Sequence, residues 1–320
     1  MDTSSPWDRL FARADELQAR HSVLGFPYAV LKKYGDDQGG RQAALLTHYG
    51  FLSLFPLLLL VVAILQRVLA GDPALRDQLI DAVVPPDLQG TVDSAITALP
   101  SSGLPFVVGI VGLVLSGLGI VGAAYEALNS LAGVPYRTRF GFLPRTLRTL
   151  AALALLVVGV VGVGAMTALV GAVTALSALS RVALFLGGVL LTGAVIWGLV
   201  RLLVPVRAPL SALWPGLLGA GAAVSALLTF GAALLPGFVA RSGPVYGSFA
   251  TIVGLFALLA LVFQAVVIAG EAVVVRRRRL WPRALVSDRP TGADRRALSD
   301  LARQQERIGP QRVRSLFDGG

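Results

Sequence analysis

Two glutamates stand in long apolar runs of this chain: Glu126, with Asn129 three residues on, and Glu271, preceded by Gln264 at a spacing of seven. Thr47 and His48 sit early in another such run, and Arg145 and Arg148 fall in the short polar stretch between two of them. An ionisable side chain within hydrocarbon costs at least about 2.5 kcal/mol, so residues that persist there are functional candidates by default. The chemistry open to this set is proton exchange and the holding of an anion. Arg145 and Arg148 would take the anionic head of a lipid or similar amphiphile. Glu126 and Glu271 would exchange protons or pair with the arginines, and Gln264, His48 and Asn129 would line the same polar cavity. The structural alternative is that each glutamate pairs with a neighbouring arginine and pins two helices together, with His48 making a helix–helix hydrogen bond.

Catalytic patterns are missing. The chain has two histidines, His21 and His48, and no cysteine, so it offers no HExxH pair, no thiolate nucleophile and no ligand set for zinc. Neither a P-loop nor a GxSxG elbow is present. Five aspartates at 72, 77, 81, 87 and 93 could attract a cation, but their spacing fits no calcium loop and a solvated acidic face explains them better. No enzyme, no cofactor and no metal is expected.

The elements that must position these residues follow from where charge is absent. Hydrophobic residues make up 55% of the 320 and charged ones 14%, against about 25% charged in a soluble domain; mean hydropathy is +0.73. A bilayer core needs about 20 apolar residues as helix, and six stretches supply them, at about 43–67, 105–131, 150–176, 182–202, 210–235 and 248–275. Each must be helical, because unpaired backbone amides are not tolerated in lipid, and none shows the two-residue alternation of a barrel strand. The fold class is therefore all-α, a polytopic membrane protein with six transmembrane helices in one domain, 41–275.

Orientation follows from arginine and lysine. Six spans put both termini on one side. That side collects six basic residues from segment 1–40 with Arg41, four from the second connection, two from the fourth and twelve from the tail 276–320. The other side collects Arg67, Arg76, Arg181 and Arg241, a split of 24 to 4. Both termini are expected in the cytoplasm and the protein in the cell membrane. The run Arg276 to Arg279 reads as a stop-transfer anchor on anionic headgroups. Nucleic acid is not an expected partner, because the tail lacks interleaved aromatics and a folded basic surface.

Outside the spans, residues 5–20 space Trp7, Leu10, Phe11, Ala14 and Leu17 as an amphipathic helix lying on the inner leaflet or packed on the bundle. Phe26 to Tyr34 forms a second amphipathic approach, stopped by Gly35. The outside loop 71–103 reads as two short amphipathic helices split by Pro85 and Pro86. The basic tail, partly disordered, holds one amphipathic helix from Asp294 to Ile308. No signal peptide is visible in the polar first 40 residues. Glycines crowd the second, third and fifth spans, where small residues let helices approach closely or leave grooves and hinges.

Segments taken in order resemble the YihY/BrkB family of bacterial inner-membrane proteins. The first span carries Asp37, Ala43 and Ala44, then Leu45-Leu46-Thr47-His48-Tyr49-Gly50-Phe51-Leu52-Ser53-Leu54-Phe55-Pro56-Leu57-Leu58. The second carries Leu115-Ser116-Gly117 and Ala127-Leu128-Asn129, and the last Tyr246-Gly247-Ser248 and Ala269-Gly270-Glu271. The similarity covers roughly 25–275. His48 departs from the aromatic or small residue usual there, and Ala257-Leu258-Leu259 replaces a tryptophan common in the last span. The resemblance implies a six-helix fold and links to serum resistance and to movement of envelope lipids; an old ribonuclease label also attaches to the family. Transport or flipping of a lipid or other amphiphile is the expected function. Its rivals are a scaffold that organises envelope proteins through its amphipathic ends, and an enzyme.

Overall fold

The computed structural model describes residues 22–69, 104–172, 178–206, 209–246, 249–285 and 290–317, together with Asp15, Gln18 and Ser94. The readings made for residues 5–20 and 71–103 fall outside it apart from those three. Among the described residues the regular structure is entirely helical.

The chain enters through α1 (Ser22–Asp36). Gly35 does not stop it: the helix continues to Asp36, the Asp37 amide donates to the Lys33 carbonyl, and the reversal falls on Gln38, whose φ of 55° is left-handed. A glycine in a last helical turn is tolerated, and the reversal itself needs positive φ. Helix α2 (Gly39–Leu69) follows at once. A Cβ on Gly39 would lie 2.3 Å from the Tyr34 ring, so only glycine lets the two helices turn this sharply. Pro56 lies inside α2, where it cannot donate to the ladder, and Gly112 of the next helix leaves room for its ring, a Cβ there standing 3.0 Å from the proline Cβ.

The remaining spans are α3 (Leu104–Leu131), α4 (Phe142–Ala172), α5 (Ala178–Leu203), α6 (Leu210–Tyr246) and α7 (Phe249–Arg278). All six helices α2 to α7 are long and apolar enough to cross a membrane. Each packs on its neighbour in sequence, and α7 returns to α2, so the six close into a ring, with α3 also touching α5 and α7. Leu115, Val158, Leu190 and Leu234 point outward and exposed, a surface only lipid covers at low cost. The buried core sits toward one end, the base. There Ala43 and Leu46 of α2 meet Val121, Ala124 and Tyr125 of α3, Ala152 and Leu153 of α4, Leu203 of α5 and Val267 of α7.

The tail helix ends at Gln304, short of the expected Ile308, and two spans depart furthest from their expected limits. Helix α4 starts at Phe142, eight residues before the predicted span, which places Arg145 and Arg148 in its first two turns and not in a loop. Pro144 occupies the first turn, where its missing N–H belongs to the unpaired set of a helix start anyway. Helix α6 runs to Tyr246, beyond the expected end at 235.

The tail folds back on the base. Helix α8 (Gly292–Gln304) begins with a capping box in which Thr291 and Asp294 satisfy each other's amides. Asp294 then accepts from Arg283 Nε at 2.6 Å and from the Ala284 amide at 2.8 Å, and lies 3.1 Å from Lys32 Nζ of α1. Arg283, almost wholly buried, reaches Asp36 at 2.8 Å with Nη2. Burial alone would raise the Asp294 carboxyl, but the hydrogen bonds from Ala284, Arg283 and Thr291 outweigh it and hold the group well below its ordinary value. Further along, Glu306 accepts from Arg137 Nε at 2.6 Å, and Arg278 pairs with Asp300.

The close approach of α5 and α6 and the buried arginine each yield a test. A Cβ on Gly221 would lie 2.3 Å from the Val189 carbonyl oxygen, so Gly221→Val should cost about 1–3 kcal/mol and reduce the folded yield in detergent, whereas Gly219→Ala, with open space at its Cβ, should not. Arg283→Met removes the buried guanidinium that joins Asp294 to Asp36 and should destabilise by about 3–5 kcal/mol, read as a lower melting temperature; an unchanged melting curve would show that the tail is not held by this arginine. The Asp294 contribution, coming from a lowered pKa, is complete above the ordinary carboxylate range near pH 4 and is lost as pH falls through it.

Candidate functional site

Polar side chains of the predicted set fall into two clusters at the base. The first surrounds the end of α3. Glu126, 43% exposed at its side chain, accepts from Arg139 Nη1 at 2.5 Å and lies 3.9 Å from Arg145 Nη2. The loop that carries Arg139 is set by Gly133, whose φ of +67° lets the chain leave α3 while the Val134 amide closes on the Asn129 carbonyl at 2.9 Å. A 3₁₀ turn, Tyr136–Thr138, then brings Arg139 over the Tyr136 ring at 3.9 Å.

Aromatic rings carry the other two arginines. Arg145 lies over Tyr125 at 4.5 Å and Arg148 over Phe140 at 3.9 Å, and the Phe140 amide donates to the Tyr125 hydroxyl at 3.2 Å. A guanidinium stacked on a ring keeps its in-plane N–H groups free to bind an anion. The three arginines differ in how many of those donors are taken. Arg139 is nearly buried and committed to Glu126. Arg148 donates one hydrogen bond to the Leu202 carbonyl at 3.2 Å. Arg145, 45% exposed, holds Glu126 only at 3.9 Å. Three positive charges face one carboxylate, so the cluster carries excess positive charge. On the same first turns of α4, Phe142, Leu143 and Leu147 are all exposed, Phe142 by 87%.

Asn129 belongs to this cluster as a fastener. It is wholly buried, and its Nδ2 donates to the Tyr125 carbonyl at 2.8 Å and to Leu203 of α5 at 3.0 Å. It holds α3 to α5 under Tyr125 and has no exposed atom to offer a ligand.

The second cluster joins α1 to α7. Glu271 is completely buried, with Lys33 Nζ 3.3 Å from its Oε2, and Lys33 also pairs with Asp37. Gln264, one face along α7, is exposed and its Nε2 approaches the Tyr34 hydroxyl at 3.4 Å. Among the described residues no hydrogen bond or ion pair links this cluster to Glu126; the Leu131 side chain lies against Gly270 beside Glu271. One shared cavity for both glutamates is therefore not what the geometry shows. His48 joins neither. It is exposed, stacks edge-on with Tyr49 at 5.3 Å, and makes no hydrogen bond or ion pair among the described residues. Thr47 donates back to the Ala43 carbonyl of its own helix.

Sequence reasoning missed the partners more than the sites. Lys33 and Asp37 stand four apart, the spacing of a helical ion pair, a signal that points to this pair. Arg139 is one of the four basic residues of the second connection, and nothing in its spacing marks Glu126 as its partner. No grouping of three or more His, Asp or Glu that could hold a metal occurs among the described residues.

The comparisons agree with the architecture. A family model described as virulence factor BrkB matches residues 30–290, from the middle of α1 past α7 into the tail. No curated protein and no solved structure matches the chain. The matched segment contains all six long apolar helices, and the chain therefore belongs to the virulence factor BrkB family as a multi-pass membrane protein.

Proposed function

We propose that the protein assists the transport or flipping of a lipid or other amphiphile across the cell membrane, receiving an anionic head at Arg145 and Arg148 beside Glu126. Both termini lie in the cytoplasm in this reading, so the base meets the inner leaflet and takes its cargo there. The observation that carries it is the pairing on one helix start of a half-exposed arginine, backed by an aromatic ring, with fully apolar neighbours. Arg145 presents N–H donors at the level where headgroups lie, and Phe142, Leu143 and Leu147 present the surface that acyl chains cover. Glu126 keeps the arginines from repelling one another in the empty site and gives up Arg145, its distant partner, when a phosphate or carboxylate arrives. The role is binding and movement, without catalysis, a cofactor or nucleic acid; envelope proteins remain candidate partners of the tail.

Reconstitution into liposomes with a labelled-lipid leaflet assay tests this. Arg145→Ala should lower transfer by at least about tenfold, the loss of one charge-assisted contact, while folded protein accumulates normally because the side chain is half exposed. If this variant transfers lipid at the wild-type rate, the cluster is not the headgroup site. If deletion of 285–320 alone abolishes function in cells, the scaffold reading gains instead.

A further inference from the structure

Lys33, Asp37 and Glu271 form a buried group with an unbalanced charge. Lys33 and Asp37 are each less than a tenth exposed and Glu271 is not exposed at all. Two carboxylates and one ammonium leave a net negative charge away from water. The hydrogen-bond inventory is equally short. Among the described residues Asp37 Oδ1 and both Glu271 oxygens accept no hydrogen bond, and Lys33, paired with Asp37, stands 3.3 Å from Glu271 Oε2.

Among the described residues, neighbouring elements bring no second cation: Lys32 of α1 is engaged with Asp294. Asp36 at the end of α1 adds negative charge and is paired with Arg283. From α2 the side chain buried nearest in sequence is the neutral Gln42, and Arg41 is exposed. The one charged residue of α3, Glu126, faces Arg139, and α6 has none before Arg241. On α7 itself Arg278 is engaged with Asp300 and the Ala132 carbonyl. A buried charge without a partner is not retained; the group takes up a proton instead. Two carboxyls side by side do so by sharing one, as one donates to the other and the remaining negative charge meets Lys33.

We propose that Lys33, Asp37 and Glu271 are a proton-binding site, with one proton shared between the two carboxyls, that fastens α1 to α7 in its protonated form. This goes beyond the headgroup reading and does not depend on it. The proton comes from water at the base and returns there, so the step is H⁺ uptake and release with no other reactant. Burial pushes the Asp37 carboxyl up from its ordinary value against the pull of Lys33. The packed site binds a proton that the separated carboxyls release, so the α1–α7 contact weakens as pH rises. Movement of α1 away from α7 thereby becomes linked to proton release.

Infrared spectroscopy of the full chain in detergent reads this directly. The wild type should show a protonated-carboxyl C=O band at neutral pH that titrates away as pH rises, and Asp37→Asn or Glu271→Gln should each remove it, because one carboxylate then balances Lys33. Each single variant should also keep or raise the melting temperature, and the double variant, which strands Lys33, should lower it. No such band in the wild type at neutral pH, or singles that each melt as low as the double, would overturn the proposal: the group would be a fully ionised pin. The wild-type titration stands even where a variant fails to fold, and none of these readouts involves lipid transfer.

Discussion

Hydrocarbon excludes charge, and the rest of this structure depends on that exclusion. It forces the backbone of six stretches into helices, and it leaves the outer faces of those helices apolar and exposed within the protein itself. It also drives the ionisable side chains to the ends of the bundle. At the base the result is dense: polar contacts join α3 and α4 to α5, α1 to α7 and the returning tail to α1, and the start of α2 packs there through Ala43 and Leu46.

Those contacts are not equal. Surface ion pairs contribute little, whereas Arg283 with Asp294 and Lys33 with Glu271 are buried, so each partner costs much if left alone. The buried pairs set the shape of the base. The half-exposed ones, above all Arg145 against Glu126, are the ones a ligand can break. In the proposed function, this division between pinned and breakable charge keeps one end of the bundle both rigid and receptive.

The six helices were legible because an apolar run of sufficient length has only one solution in lipid. Where the reading went astray, charge met the helix end. Arg145 and Arg148 read as part of a polar connection because the apolar run begins only after them, but a first turn projecting beyond hydrocarbon tolerates both charge and Pro144. Glu126 was recognised as a candidate in search of an arginine, and it found one, though Arg139 more closely than Arg145. Glu271 found a lysine from α1, a pairing across 238 positions that no local pattern announces. The same holds for Arg283 on Asp36 and Asp294: the capping box at Thr291 could be read from its spacing, but the arginine it receives could not. His48 stands out by its type alone, and beyond its edge-on contact with Tyr49 it has no hydrogen bond or ion pair among the described residues.

The proposed function places the base at the cytoplasmic face, the side to which 24 of the 28 basic residues fall. The chain has no native cysteine, so a single cysteine at Ser315 in the tail and another in the acidic loop at 71–103 can be labelled in intact cells with an impermeant maleimide. The loop cysteine should react from outside and the tail cysteine only after the membrane is opened. Labelling of both from the same side, or of the tail alone from outside, would contradict it.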